Sequence, residues 1–161
     1  MLDKTPHIVS INTSPGGIPK VPVNFTHVSV HGLAGDGHNH EKHRTTLQAV
    51  CLQDIEKLEE LNREGYQLVP GATGENLTVA NLNVNALPVG TVLNFSNGVV
   101  VELTKVRKPC YVLDAISQSL KNDILGRCGI YAKVIRDGFL TEGETISVVH
   151  ASASSLSCPA S

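Results

Sequence analysis

The pattern of apolar and polar positions along the chain predicts many short strands and few helices. β-branched residues mixed with polar ones, and ended by turn-forming residues, are typical of strands. Such segments are HIVSINTS, NFTHVSVHG, TTLQAVCL, ENLTVANLNV, GTVLNFSNG, VVVELTKV, GIYAKVIRDG and ETISVVH. The tripeptide SNG at residues 96–98 separates two of them and is a strong hairpin signal. The pattern therefore predicts about eight short strands.

Two segments show helical spacing instead. In QDIEKLEELNREG, Ile55, Leu58 and Leu61 recur every three residues, while Asp54 suits the first turn and Gly65 the position after the end. The segment LDAISQSLKNDIL predicts a second, weaker helix. Because the strands follow one another through turns, we expect a mostly β (α+β) fold. It would be a mixed, largely antiparallel, β-barrel-like sheet with about two peripheral helices.

Length and charge narrow the class of protein. A chain of 161 residues fits a single domain, which we place at residues 1–150, and residues 151–161 are expected to form a disordered tail. The net charge of −2 and the scarcity of aromatic residues (Trp 0, Tyr 3, Phe 3) argue against nucleic-acid and anionic-membrane partners. No apolar run approaches the ~20 residues of a membrane span, and no signal peptide is recognisable, so a cytoplasmic protein is expected.

The cysteine pattern predicts free thiols, of which one has reactive surroundings. The chain has four cysteines, at Cys51, Cys110, Cys128 and Cys158. None forms a CxxC pair, and in a reducing compartment a disulfide framework is not expected. Cys51 and Cys128 are interpreted as structural. Arg107 directly precedes the Lys-Pro-Cys110 segment, and nearby cations favour the thiolate form of a cysteine, so Cys110 is either a reactive thiol or a buried filler.

A histidine-rich segment, GLAGDGHNHEKHRTT at residues 32–46, admits three interpretations. In the first, His38, His40 and His43, with the carboxylate of Asp36, would ligate zinc or iron, although the spacing fits no standard zinc pattern. In the second, glycine N–H groups and Arg44 bind a phosphate or another anion. The third is a solvated polar loop. All three remain open on the residues alone.

Two shorter elements carry further candidates for a polar ligand site. PGATGENLTV places Glu75 and Asn76 after two glycines and before an apolar strand. Their side chains either both point into a cleft or belong to a plain turn. In GGIPK, Lys20 ends a glycine and proline loop, where it either binds a phosphate as a point charge or is a solvated surface lysine.

These elements and three others follow one another in one order along the chain. The order is SPGGIPK, GLAGDGHNHEKHR, GATGENLTV, LPVGTVL, LTKVRKPC and GRCGIYAKVIRDGFLTEGETISV. Together they closely resemble the MOSC domain, the C-terminal domain of molybdenum cofactor sulfurases. The resemblance extends from about residue 8 to residue 149. Its most specific parts are GD-x-H at residues 35–38, GENLT at 74–78, Pro109-Cys110 and the segment 129–143.

The resemblance implies a site for the molybdenum cofactor, molybdopterin. It implies that Cys110 is the catalytic residue and the ligand of molybdenum. The expected cofactor-binding residues are Lys20, His38, Arg44, Glu75, Asn76 and Arg107. A soft metal suits a thiolate, and the phosphate of the cofactor suits lysine, arginine and glycine N–H groups.

The resemblance also implies two functions. The first is a molybdenum-dependent oxidoreductase that reduces small N-hydroxylated compounds with electrons from an external reductase. The alternative is a non-catalytic carrier of the cofactor, or of persulfide sulfur supplied by a cysteine desulfurase. Pyridoxal phosphate is associated with the family only through its desulfurase-containing members, and no such domain is recognisable in this chain.

Overall fold

A computed structural model describes residues 4–16, 18–37, 46–109 and 111–149, and strands dominate this part of the chain. The strands are β1 (His7–Thr13), β2 (Val21–Val23), β3 (Phe25–Ser29), β4 (Gly32–Leu33), β5 (Val50–Asp54), β6 (Leu77–Ala80), β7 (Val92–Phe95), β8 (Val100–Val106), β9 (Ile130–Arg136), β10 (Gly138–Thr141) and β11 (Ile146–Val149). The predicted tail at 151–161 lies outside the described residues. All eight predicted strand segments contain a strand, and β2, β4 and β10 are additional short ones.

The strands form one large sheet and one small sheet. The large sheet has the order β11-β7-β8-β9-β5-β6-β1-β2, and the small one has the order β10-β3-β4. Among the described pairs only β5 and β6 run parallel, and the other pairs are antiparallel. The predicted mixed, largely antiparallel sheet is therefore confirmed.

The large sheet curls so that its β11 end returns to β1. His7 in β1 forms an isolated bridge with Thr145, which directly precedes β11. The N–H of Ile8 donates to the carbonyl of Glu144 at 2.9 Å. This curvature encloses the main hydrophobic core, in which the side chains of Ile11, Leu52, Leu77, Leu93, Leu103 and Ile130 are fully buried. The architecture is therefore barrel-like, as predicted.

Two helices pack on the outside of this sheet around a second, smaller core. The predicted first helix is confirmed as α1 (Ile55–Arg63), and Gly65 follows its end with a φ of +114°. The second is much shorter than predicted, a 3-10 turn at Tyr111–Ala115 followed by α2 (Leu120–Asp123). The hydroxyl of Ser117 accepts the N–H of Ser119 at 3.3 Å, and such local bonds compete with a continuous helix. No described helix is long and apolar enough to cross a membrane.

The carboxyl group of Asp54 joins the start of α1 to the loop after β6. Asp54 is 1 % exposed, and its two oxygens accept the N–H of Val84 at 3.1 and 2.9 Å. Burial raises the pKa of Asp54 from 3.8 to about 6, and the backbone hydrogen bonds offset only part of this effect. The folded protein therefore binds a proton at Asp54 more tightly than the unfolded chain does.

We expect this carboxyl group to make stability fall as the pH rises from about 4 to 6. Since the folded pKa is the higher one, the stabilisation is complete below the unfolded pKa and is lost as the pH passes the folded pKa. The loss amounts to about 2–3 kcal/mol. Asp54→Asn keeps an acceptor for Val84 and does not titrate. Urea unfolding of both proteins at several pH values tests this, and parallel stability curves would contradict it.

Candidate functional site

A cleft of about 420 Å³ lies on the side of β5 that faces away from the main core. Its walls come from the loops before β2, after β4 and before β6, and from β5, β8 and β9. The lining residues are Lys20, Asp36, Gln48, Cys51, Gly74, Asn76, Lys105 and Tyr131. Two predicted cofactor-binding residues, Lys20 and Asn76, therefore meet in one cleft.

Asn76 is fixed in the wall of the cleft by bonds to two strands. Its backbone N–H donates to the carbonyl of Cys51 at 2.9 Å, and its carbonyl accepts the N–H of Asn12 at 2.7 Å. In the side chain, Oδ1 accepts the N–H of Cys51 at 2.9 Å. Nδ2 then points across the cleft and donates to Oδ2 of Asp36 at 2.9 Å. The amide is thus held in one orientation, with its donor group towards the cleft.

Lys20 is an ion-paired side chain of the cleft, with 13 % of it exposed. Its backbone N–H donates to the carbonyl of Gly71 at 2.9 Å, which fixes the loop. Its ammonium donates to both carboxylate oxygens of Asp36, at 2.7 Å each. Of the two interpretations from the sequence, the solvated surface lysine is excluded by this burial, and the anion-binding role stays a prediction.

Glu75 does not line the cleft, although it directly precedes Asn76. It is 0 % exposed, and its carboxyl group accepts three hydrogen bonds. The donors are the N–H of Gly71 at 2.9 Å, the hydroxyl of Thr73 at 2.7 Å and the hydroxyl of Thr78 at 2.7 Å. Glu75 is therefore a buried residue whose hydrogen bonds hold the loop before β6 in its conformation.

Arg107 lies beneath the cleft and is 9 % exposed. Its Nη2 donates to the carbonyl of Thr73 at 2.6 Å, whereas Nη1 is buried and has no hydrogen-bond partner among the described residues. Burial disfavours the charged guanidinium, but attraction to the ionised forms of Cys51, Cys128, Tyr131 and Glu75 outweighs it and keeps the pKa of Arg107 above its ordinary value, so the guanidinium stays charged even at a pH where the thiols have ionised. The cleft therefore has a permanent positive charge behind it.

Cys51 belongs to the cleft, which the interpretation of this residue as structural missed. It alternates with Leu52, whose side chain is in the main core, so the period of the strand directs Cys51 to the opposite face. Burial raises the pKa of Cys51 to about 11, and the charge of Arg107 offsets only part of this effect. The thiol is therefore neutral at pH 7, and its side chain forms part of the wall of the cleft.

Besides Cys51, five further lining residues were not among the predicted site residues. Asp36, Gly74, Lys105 and Tyr131 lie inside the elements GD-x-H, GENLT, LTKVRKPC and GIYA that carry the family resemblance, while Gln48 had no signal in the sequence. His38, Arg44 and Cys110 lie outside the described residues, as does the proposed zinc cluster of the histidine-rich segment. The described residues contain no group of three or more His, Cys, Asp or Glu that would hold a metal ion.

Several solved structures share the curled, strand-rich fold of this chain. The YUAD protein from Bacillus subtilis superposes with a TM-score of 0.77 at 17 % identity, covering 89 % of this chain and 95 % of that one. YiiM from Geobacillus stearothermophilus gives 0.72 at 25 % identity, covering 90 % and 75 %. YiiM from Escherichia coli gives 0.66 at 21 % identity, covering 89 % and 69 %.

The sequence comparison identifies the family. The model of the MOSC domain matches residues 39–147, more than half of the chain, and the protein belongs to the MOSC domain family. A protein of Gibberella moniliformis named "Reductase" is 28 % identical over 131 residues. That match covers 75 % of this chain but only 23 % of the fungal protein, so the chain spans about a quarter of that relative.

Proposed function

We propose that the protein binds the molybdenum cofactor in this cleft and reduces N-hydroxylated compounds with electrons from an external reductase. The observation that carries the proposal is the convergence of Lys20 and Asn76, which come from distant loops, on one cleft of a MOSC-family chain. The name of the fungal relative, "Reductase", agrees with a reductive reaction.

The residues present fit the polar end of such a cofactor. Lys20 and Lys105 supply ammonium groups for a phosphate, and Asn76 supplies an oriented amide donor. Gly74 lines the same cleft, and Arg107, whose Nη1 has no hydrogen-bond partner among the described residues, adds positive charge behind it. When bound, the cofactor supplies the two-electron chemistry, in which R–NHOH takes up two electrons and two protons to give R–NH2 and water.

These contacts indicate which residues would bind which part of the cofactor. Lys20, Asn76 and Arg107 bind and orient the anionic part, while the thiolate of Cys110 is the proposed soft ligand for the metal. The buried, neutral Cys51 forms the wall without competing as a second thiolate, because its pKa of about 11 keeps it protonated at pH 7.

The test is the metal content of protein expressed in a host that makes the cofactor. We expect about one molybdenum per chain in the wild type and a loss of about tenfold or more in Cys110→Ser, because a hydroxyl is a much harder ligand than a thiolate. Cys158→Ser is the matched control, since it makes the same exchange at a cysteine that is not among the proposed site residues. Metal analysis by mass spectrometry gives the contents, and a reduced viologen dye with a hydroxylamine substrate gives the activity.

Equal molybdenum in the wild type and Cys110→Ser, or none in either, would overturn the proposal. Bound cofactor without reductase activity would favour the carrier function instead. A persulfide carrier would give a mass increase of about 32 Da at Cys110 after incubation with a cysteine desulfurase, without any molybdenum.

A further inference from the structure

The carboxylate of Asp36 occupies a ready-made oxyanion site inside the cleft. Oδ1 accepts from the ammonium of Lys20 at 2.7 Å and from the N–H of Ser14 at 3.1 Å. Oδ2 accepts from the same ammonium at 2.7 Å and from Nδ2 of Asn76 at 2.9 Å. The side chain of Asp36 is only 3 % exposed, so these donors are its main surroundings.

These donors form the set that a phosphate or carboxylate ligand requires. An ammonium, an amide and a backbone N–H converge from three separate segments on one pair of oxygens, which here stand in for two oxygens of a ligand. Lys20 and Asn76 are also the residues that we propose for the anionic part of the cofactor. While Asp36 holds them, an incoming anion meets donors that are already used and a negative charge beside them.

We propose that Asp36 is an internal competitor, which occupies the oxyanion site of the cleft until the phosphate group of a ligand displaces it. This inference rests on the proposed function for the identity of the natural ligand. The site itself accepts any small oxyanion of suitable size, and inorganic phosphate is the simplest probe.

The backbone around Asp36 favours displacement by rotation of the side chain alone. The N–H of Gly37 donates to the carbonyl of Ser14 at 2.7 Å, and the N–H of Asp36 donates to the carbonyl of Leu33 at 3.2 Å. A Cβ on Gly37 would lie 1.9 Å from the carbonyl oxygen of Pro15, so the two loops touch at their backbones. None of these backbone contacts involves the carboxylate, so they can all persist when the carboxylate leaves the donors.

The opposite role, in which Asp36 orients Lys20 and Asn76 for the ligand, predicts the opposite effect of a mutation. If Asp36 competes, its removal frees the donors and strengthens the binding of an anion. If it orients them, its removal disorders the donors and weakens the binding. The sign of the change in affinity therefore decides between the two roles.

The experiment measures the dissociation constant for inorganic phosphate by NMR titration of the cofactor-free protein. We expect Asp36→Ala to bind phosphate about tenfold or more tightly than the wild type, a change of about 1.4 kcal/mol. Asp36→Asn is the second variant, because it removes the charge while keeping the size of the side chain. The double variant Asp36→Ala with Lys20→Met should lose the gain, since the ammonium is then missing.

An unchanged or lower affinity in the folded Asp36 variants would overturn the inference. A gain that survives Lys20→Met would also overturn it, because the phosphate would then bind elsewhere. The result is independent of molybdenum. A gain in phosphate affinity in a protein that never loads the cofactor would support the competitor and reject the proposed function, and cofactor loading without the gain would do the reverse.

Discussion

Glu75→Ala should lower the free energy of unfolding by about 3 kcal/mol or more, because it leaves three buried donors without an acceptor. The N–H of Gly71 and the hydroxyls of Thr73 and Thr78 all bond to this one carboxyl group within 2.9 Å. Glu75 is 0 % exposed, so water is not an alternative partner in the folded protein. Urea unfolding at pH 7 measures the difference.

Glu75→Gln is the matched control for this prediction. Its oxygen can take the place of Oε2, which accepts the N–H of Gly71, and its amide can donate to the hydroxyl of Thr73, which is also able to accept. We expect the exchange to Gln to lower stability by about 1 kcal/mol, much less than the exchange to Ala. Similar losses in the two variants would show that the three bonds do not carry the stability.

The same network connects Glu75 to the floor of the cleft. The hydroxyl of Thr78 also accepts from Nδ2 of Asn12 at 3.0 Å, and the carbonyl of Thr73 accepts Nη2 of Arg107 at 2.6 Å. Loss of the carboxyl group would therefore loosen Asn12, whose backbone N–H donates to the carbonyl of Asn76. It would also loosen the guanidinium of Arg107 beneath the cleft. A fall in phosphate affinity together with stability is the expected consequence in Glu75→Ala.

The elements with strong periodicity could be predicted from the sequence, and the short ones could not. Leu58 and Leu61 bury one side of α1, and Gly98, with a φ of +110°, allows the turn between β7 and β8. The two-residue strand β4 is too short to show alternation, and its pairing with β3 depends on the tertiary structure. The second helix is interrupted by bonds between serine residues that helical spacing does not reveal.

The candidate site was predictable in part for a related reason. Asn76 and Lys20 could be predicted as candidates because each lies in an element with glycines. Strands β1, β5 and β6 then bring the two residues to one cleft. Glu75 and Asn76 are neighbours in the bend before β6, but the donors of Gly71, Thr73 and Thr78 hold the carboxyl group of Glu75 inside the protein, so only Asn76 lines the cleft. That Asp36 would occupy the donors could not be predicted, because it depends on distances between segments far apart in the chain.

Gly71→Ala should have the second large effect, by separating the loop of Lys20 from the loop of Glu75. Gly71 has a φ of +89°, and a Cβ on it would lie 2.2 Å from the carbonyl oxygen of Lys20. Backbone atoms on both sides are hydrogen-bonded, since the carbonyl of Gly71 accepts from Lys20 and its N–H donates to Glu75. Steric overlap and backbone strain together predict a loss of about 2–4 kcal/mol in the free energy of unfolding.

Gly126→Ala separates the two causes of this loss. Gly126 has a similar φ of +80°, but a Cβ on it would meet no atom within 4 Å, so only the backbone strain applies. We expect this control to lose about 1 kcal/mol. The remainder of the loss in Gly71→Ala is then due to contact with Lys20, and the chemical shift of the Lys20 amide should change in that variant alone. Equal losses at the two glycines would show that the close approach of the loops is not what makes Gly71 necessary.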